Sequence, residues 1–341
     1  MKLKKLIFPL VILIGLLAYL YFMSEEESNS SDQPFSEFAF ADTASIDKVI
    51  ISNTLGDKIT IHKRNENKKW KINDTDVSAN EEKIERILST IHSWKVIQDI
   101  DKKNVDGAVK QLSVKHSKVE VFTNGSNESS KTYYLGDANK SMTGNVALLK
   151  IGNKKSNIPY YIQLPGFYGT LETRFFSDFQ NWRSTEIIGL DTRAIKSIEL
   201  RNHQFDEETY RLENKVDIFS LYNSKNEAID KFDTLAVRRH LVVFKNLHLE
   251  NFVNFLPQTQ IDSIIQSEPL YTLTLTNKND LSTKVTVYCK PNESNKTAPD
   301  GSDLPCDPQR LYALVNDKEF VVIQVFGWGP VFKPLSFFTT E

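Results

Sequence analysis

One acidic segment places oxygen-bearing side chains at the spacing of a calcium-binding loop. The segment DTDVSANEEKIE covers residues 74–85, and it puts Asp74, Asp76 and Glu85 at positions 1, 3 and 12 of an EF-hand-like loop. The glycine that such a loop needs at position 6 is replaced by Ala79, and no predicted helix precedes the segment. These three carboxylates are therefore a weak candidate for a metal site.

The same segment also carries the signal for the start of a helix. Ser78 and Glu81 have the spacing of a capping box, in which each side chain bonds a free backbone N–H of the first turn. The apolar stripe that follows at helical spacing is Ile84, Ile87, Leu88, Ile91 and Trp94. We favour a helix start over a calcium site, and the sequence predicts no cofactor.

No catalytic signature occurs in the sequence. It contains no nucleophile elbow, zinc-protease motif, phosphate-binding loop or dinucleotide-binding glycine pattern. None of the six histidines is four residues from another, the spacing that would suit a metal on a helix. We therefore predict a protein that is not an enzyme and has no catalytic residues. Two alternatives stay open: an envelope hydrolase without a recognisable motif, and a calcium- or carbohydrate-dependent adhesion module.

Aromatic and basic side chains supply the candidates for partner binding. LPGFYG and VFGWGPVF place large rings beside glycines, and such segments either fill a core or form exposed loops that bind a protein or a membrane surface. The stretch VRRH is either the solvated face of a helix or a docking site for an acidic partner or anionic headgroups. The candidates on these grounds are Phe167, Tyr168, Trp328, Arg238 and Arg239.

Length and composition limit the classes of function. The chain has 341 residues, which suits two domains, and it is 40% hydrophobic and 25% charged, as globular proteins are. The formal net charge is −2, so no basic excess indicates a nucleic-acid partner.

A charge-free apolar run near the N-terminus predicts a membrane anchor. Residues 6–23 read LIFPLVILIGLLAYLYFM, and a helix of this length spans about 27 Å, close to the thickness of a bilayer core. Residues 1–5 form a basic tip, and residues 24–37 are predicted as a flexible acidic stalk. The positive-inside rule places the tip in the cytoplasm and the bulk of the chain on the periplasmic or extracytoplasmic side of the inner membrane. A cleaved signal peptide is the alternative, although its apolar run is usually shorter.

The two cysteines, Cys289 and Cys306, flank a polar loop between two predicted strands. An extracytoplasmic compartment permits a disulfide there, and closing this loop would stabilise the fold by about 3 kcal/mol. Two unpaired thiols are the alternative.

Two sets of matching segments indicate a tandem repeat. DTASIDKVII begins at Asp42 and DTRAIKSIEL at Asp191, so the offset between them is 149 residues. Near the end of each copy the sequence reads IQLPGF at 162–167 and IQVFGW at 323–328. The two glutamines are predicted to occupy equivalent strand positions.

The repeat boundaries are predicted at 38–185 and 189–341. Each copy is predicted as α+β, with three strands, one long amphipathic helix and four further strands in an antiparallel sheet that the helix covers. Gly166 and Gly327 are expected to turn the chain alike, so that Phe167 and Trp328 fill equivalent sites.

This arrangement resembles the family known as domain of unknown function 4340. The resemblance covers residues 40–341 and depends on the N-terminal anchor, the Trp in KKWKI and the Tyr-rich sheet repeated in tandem. Members often show a YGL..P segment where this chain reads VKQLSVKHS and SEPLYTLTL. The resemblance implies an accessory role in the cell envelope beside an ABC-type transporter or a gliding-like machine. It implies no activity, so no catalytic residue is carried over.

Overall fold

The computed structural model describes residues 33–63, 69–216, 218–293, 297 and 300–339. The predicted basic tip, the predicted transmembrane anchor at 6–23 and the stalk as far as residue 32 lie outside the described residues. Within the described ranges, no helix has the length and apolar character needed to cross a membrane.

The chain divides into two compact units, Met1–Ser184 and Thr185–Glu341. The first unit contains a nine-stranded antiparallel sheet in the order β3-β2-β1-β5-β6-β7-β9-β4, with β8 paired to β7. Its strands are β1 (Ile46–Asn53), β2 (Lys58–Lys63), β3 (Trp70–Ile72), β4 (Lys95–Asp99), β5 (Ser117–Thr123), β6 (Lys131–Ala138), β7 (Asn145–Ile151), β8 (Lys154–Lys155) and β9 (Tyr160–Gln163). Its helices are α1 (Glu81–Ser93), α2 (Val105–Val114) and α3 (Phe179–Trp182).

The second unit also contains a nine-stranded antiparallel sheet, in the order β14-β13-β12-β11-β17-β18-β19-β20-β16, and a two-stranded pair of β10 with β15. Its strands are β10 (Glu186–Ile188), β11 (Ile195–Asn202), β12 (Tyr210–Lys215), β13 (Ile218–Asn223), β14 (Ala228–Ile229), β15 (Leu247–His248), β16 (Asn251–Phe252), β17 (Tyr271–Asn277), β18 (Ser282–Tyr288), β19 (Arg310–Val315) and β20 (Glu319–Gln324). Its helices are α4 (Thr234–Val242), α5 (Gln258–Gln266), α6 (Val325–Trp328) and α7 (Ser336–Thr339).

The two large sheets share one strand order. The run β3-β2-β1-β5-β6-β7-β9-β4 has its counterpart in β13-β12-β11-β17-β18-β19-β20-β16. β1 and β11 each have eight residues, and each has a bulge after its first residue, Ile46 or Ile195, where it pairs with β5 or β17. Equivalent strands can therefore be compared position by position.

The predicted fold class, α+β with one long amphipathic helix covering each sheet, is wrong. The described structure consists mainly of antiparallel sheets with short helices, of which α1 has thirteen residues and α4 only nine. In the second unit α4 ends at Val242, and Leu247, which lies further along the chain at helical spacing, belongs to strand β15. Apolar periodicity alone does not show where α4 ends. Leu247 is buried as part of a two-residue strand, yet its position also continues the helical spacing of the apolar residues.

Each sheet is covered by short helices on both faces. In the first unit, α1 contributes Ile84 and Ile87 to the main core, whereas α2 contributes Leu112 to a smaller cluster with Val146 and Leu148 of β7. The second unit repeats this division, with α4 in the main core and α5 in the smaller cluster. The sequence reasoning missed α2, α5 and the edge strands β4 and β16.

Residues 33–37, predicted as part of the flexible stalk, belong to the first unit. Gln33–Ser36 form a 3-10 turn, and Phe38, two residues after it, is buried. The Phe38 carbonyl accepts hydrogen bonds from the indole N–H of Trp94 at 2.8 Å and the hydroxyl of Tyr133 at 2.9 Å. The chain is therefore fixed in the core of this unit from its first described residues.

Candidate functional site

The two matching glutamines lie at equivalent strand ends, but the chain continues differently after each. Gln163 is the last residue of β9, and Gln324 is the last residue of β20. Gly166 turns the chain with a φ of +77°, whereas Gly327 lies inside helix α6. The prediction that the two glycines act alike is wrong, because α6 begins directly after Gln324 and leaves no turn for Gly327 to make.

The rings of Trp328 and Phe167 differ in their exposure to solvent. Trp328 is 1% exposed, and its indole N–H donates to the His248 carbonyl at 2.8 Å. Phe167 is half-buried, and the Arg174 guanidinium lies 4.5 Å from its ring centroid. Trp328 is thus a core residue, which removes it from the candidates for partner binding.

Three exposed apolar side chains lie on adjoining segments at the end of β9. Tyr168 is 75% exposed, and Ile97 and Met142 are each 46% exposed. The Gly169 N–H, next to Tyr168, donates to the Met142 carbonyl at 3.0 Å. Ile97 packs so closely over Gly144 that a Cβ there would lie 2.8 Å from its Cδ1. We call Ile97, Met142 and Tyr168 the first exit patch.

The backbone holds Met142 in an unusual conformation. Its φ is +58°, in the left-handed region that a long side chain rarely adopts. The Met142 N–H donates to the Asn139 carbonyl at 2.9 Å, and the Asn139 Oδ1 accepts from Thr143 N at 2.9 Å. Strain of this kind persists where surrounding bonds fix it, and it is frequent at binding sites.

The equivalent strand end of the second unit carries a groove. Its volume is about 430 Å³, and its lining residues are Pro308, Gln309, Arg310, Gln324, Val325 and Phe326. Phe326 is 94% exposed, so almost the whole ring faces solvent. We call these six residues the second exit patch.

An ion pair fixes the only guanidinium in the second exit patch. Arg310 donates from Nε and Nη2 to both carboxylate oxygens of Glu250, at 2.8–3.0 Å. These hydrogen bonds and the carboxylate charge raise the pKa of Arg310, which stays protonated. Within the described part of the chain its Nη1 makes no hydrogen bond, so this donor remains available to a ligand.

The predicted disulfide is confirmed, and it lies directly before the segment that carries Pro308, Gln309 and Arg310 of the second exit patch. Cys289 and Cys306 are bonded, with their Cα atoms 5.2 Å apart. Directly after the bridge, the Asp307 Oδ1 accepts from the backbone of Gln309 at 2.8 Å and of Arg310 at 3.2 Å. The Gln309 carbonyl in turn accepts from the N–H of Val325 at 2.9 Å, which joins the two walls.

The other candidates for partner binding lie on α4. Arg238 is exposed, and its guanidinium is 5.2 Å from the ring centroid of Phe219. The Arg239 side chain is 65% exposed and is 3.7 Å from the Asp233 carboxylate that caps the helix. Both remain accessible, but their helix is not an element that builds the second exit patch.

The candidate metal ligands are not brought together. Within the described ranges, no group of three or more His, Cys, Asp and Glu side chains is placed to hold a metal ion, and this includes Asp74, Asp76 and Glu85. The predicted helix is present, but the predicted capping box of Ser78 and Glu81 is wrong, because α1 begins at Glu81 and its cap is Asn80, whose Oδ1 accepts from Lys83 N at 3.0 Å. Ser78 therefore lies before the cap.

One buried histidine has a strongly shifted pKa. His240 is 3% exposed, its Nε2 is 2.9 Å from the Tyr210 hydroxyl, and rings of Phe244 and Phe338 lie edge-on to it. Burial, with a smaller contribution from Lys333, lowers the pKa of His240 to about 4, although the Pro330 backbone acts in the opposite direction. No hydrogen bond of good geometry reaches its Nδ1 among the described residues, so the neutral ring is a core side chain.

Comparisons with protein-family models, with curated proteins and with solved structures each returned no match.

Proposed function

We propose that this protein is a membrane-anchored extracytoplasmic scaffold whose two exit patches bind a protein partner in the cell envelope. The observation that carries this proposal is the exposure of one large aromatic ring at the equivalent strand end of each unit. Tyr168 follows β9 and is 75% exposed, and Phe326 follows β20 and is 94% exposed.

Exposed rings in this setting support binding to a protein. An aromatic side chain left in water forgoes about 2 kcal/mol of hydrophobic stabilisation, which burial in an interface would recover. Aromatic and arginine side chains also supply most of the binding energy in protein interfaces. The second exit patch combines Phe326 with a guanidinium that Glu250 already holds in place, so little side-chain entropy is lost on binding.

The compartment is supported by two independent features. The apolar run at 6–23 with its preceding lysines favours an anchor whose bulk lies outside the cytoplasm. The bond between Cys289 and Cys306 fits an oxidising compartment, because such bonds rarely persist in the cytosol. With the resemblance described above, these features favour a transporter or another envelope machine as the partner.

Site-specific photo-cross-linking tests the proposal in intact membranes. A photoreactive phenylalanine analogue replaces Tyr168 in one variant and Phe326 in another. The matched controls replace Leu55, which is 88% exposed on the turn between β1 and β2, and Leu281, which is 68% exposed between β17 and β18. We expect the two exit-patch variants to form discrete cross-linked products that the controls lack. Equal cross-linking at all four positions, or none at the exit patches, would contradict the proposal.

A further inference from the structure

The two units carry opposite formal charges. Residues 33–184 hold 22 Lys and Arg against 18 Asp and Glu, a charge of +4, whereas residues 185–341 hold 17 against 22, a charge of −5. The positive unit is the one that directly follows the predicted anchor. An anionic bilayer surface would therefore attract the unit nearest to it along the chain and repel the other.

Helix α2 and the turn before it present part of this positive charge together with apolar surface. Lys102, Lys103 and Lys110 are exposed there. On the same helix Val109 is 36% exposed and Val114 is 72% exposed. A turn and short helix that together carry three lysines beside exposed aliphatic side chains have a composition found in segments that lie on a membrane surface.

A groove beside α2 adds another cation to this surface. Its volume is about 220 Å³, and its lining residues are Val109, Leu112, Ser113, His116, Tyr134, Leu148 and Lys155. The Lys155 ammonium is 4.5 Å from the Tyr134 ring centroid, so its charge lies beside the apolar groove. Asp101 and Asp106 offset part of the charge but leave an excess of cations. We define the basic face as Lys102, Lys103, Val109, Lys110, Val114 and Lys155.

The second unit shows that a helix can pack at this place in the fold without lysines. Helix α5 lies between β16 and β17, as α2 lies between β4 and β5, and both helices contribute to the smaller core cluster of their unit. Yet α5 reads QTQIDSIIQ, with one acidic residue and no Lys or Arg, whereas the turn and helix at 102–114 hold three lysines against one Asp. The three lysines of α2 and the turn before it are therefore additional to what the fold needs.

The chain length keeps the basic face near the bilayer. Only residues 24–32 separate the predicted anchor from Gln33, and these nine residues span at most about 30 Å when extended. A tether of this length holds the unit at a high effective concentration beside the surface, so weak contacts suffice for binding.

We infer that the basic face binds anionic phospholipid headgroups and holds the first unit on the membrane from which it is anchored. The inference depends on the anchor of the proposed function and adds the surface that the first unit presents to the bilayer. The acidic tether, with Glu25, Glu26, Glu27 and Asp32, is the competing occupant of the same face.

Lipid-specific quenching distinguishes these occupants. The full-length chain is reconstituted in nanodiscs of phosphatidylcholine alone or with 30% phosphatidylglycerol that has brominated acyl chains. Because both native cysteines are paired, a single Val114→Cys variant can be labelled with a fluorophore, and Leu281→Cys in the second unit is the matched control. We expect at least twofold stronger quenching at position 114 than at position 281, only in discs with the anionic lipid.

Removal of charge tests whether the lysines bind the basic face to the anionic lipid. Each lysine near an anionic surface contributes about fivefold to the binding equilibrium, so Lys102→Gln, Lys103→Gln and Lys110→Gln together should lower it on the order of 100-fold. The control triple changes the exposed Lys58, Lys225 and Lys231 to Gln and should leave the quenching unchanged.

Three outcomes would overturn the inference. These are equal quenching at both positions, quenching that the first triple does not reduce, and contact of position 114 with the tether instead of lipid. If the triple variant misfolds, a salt titration of the protein with its native lysines replaces it. Added salt screens the charges, so the basic face should leave the lipid surface and the quenching should fall. Failure of the chain to insert into the discs would instead refute the anchor of the proposed function.

Discussion

Lowering the pH from 7 to 4 should weaken the second unit, because His240 must take up a proton inside its core. The pKa of His240 is about 4 in the folded protein and 6.5 in an unfolded chain. Between these values the unfolded state binds more protons than the folded state, so stability falls as the pH falls. The stabilisation is complete above pH 6.5 and is lost progressively towards pH 4.

The size of the loss follows from the two pKa values. One pKa unit corresponds to about 1.4 kcal/mol, so the free energy of unfolding should drop by about 2 kcal/mol at pH 5 and about 3 kcal/mol at pH 4. The ring is 3% exposed, so solvent screens little of this effect. Among the described residues no carboxylate contributes to this pKa, the Lys333 charge acts in the same direction as burial, and the rings of Tyr210, Phe244 and Phe338 lie against the imidazole.

Urea denaturation of the full chain at pH 7, 6, 5 and 4 measures the loss. The matched variant is His240→Gln, which keeps an acceptor for the Tyr210 hydroxyl but does not titrate. The carboxylates titrate in both proteins, so their contribution cancels when the two unfolding free energies are subtracted. That difference should shrink by about 3 kcal/mol from pH 7 to pH 4. Parallel pH profiles for the two proteins would refute the reasoning.

Three further predictions concern the packing and the exit patches. Gly136→Ala places a Cβ 2.8 Å from a side chain of α2, so it should lower the free energy of unfolding of the first unit by about 1–3 kcal/mol in urea denaturation. The control Gly107→Ala has open space around it and should raise that free energy by up to about 1 kcal/mol. Replacing Cys289 and Cys306 by Ser should lower the free energy of unfolding by about 3 kcal/mol, and reductant should then have no further effect. Met142→Gly should raise stability by about 1 kcal/mol through relief of the left-handed backbone, yet reduce cross-linking from the first exit patch; a variant that is less stable, or that cross-links as before, would contradict this.

The strands and the disulfide could be predicted from the sequence because their signals are local. Alternating apolar residues mark β1 and β11, and both strands begin 149 residues apart, at Ile46 and Ile195. The pairing of Cys289 with Cys306 required only a compartment and an even count of cysteines.

Helix α1 could be predicted from its apolar stripe, but α2 and α5 could not, because each buries only one or two side chains and so shows no apolar stripe. Helix α2 reads VDGAVKQLSV, in which only Ala108 and Leu112 are buried, so the pattern resembles a loop. Tertiary packing against Gly136, which admits Leu112 at close range, decides its position instead.

The exit patches were predicted only in part. Tyr168 was a candidate and is exposed, but Trp328 is buried and Phe326 takes its place at the surface. The residue that corresponds to Phe326 in the aligned motif is Pro165, which is also exposed. A position that holds proline in one copy is a poor core site, and this signal indicates the exposure of Phe326.

Photo-cross-linking at Phe326 in intact membranes tests the central claim most directly. Phe326 is 94% exposed beside a guanidinium held in place by Glu250, so we expect a discrete product with one envelope protein. Arg310→Gln should weaken that product, and Leu281, the control position, should give none. A Phe326 variant that yields only the products seen at Leu281 would contradict the claim that the exit patches bind a partner.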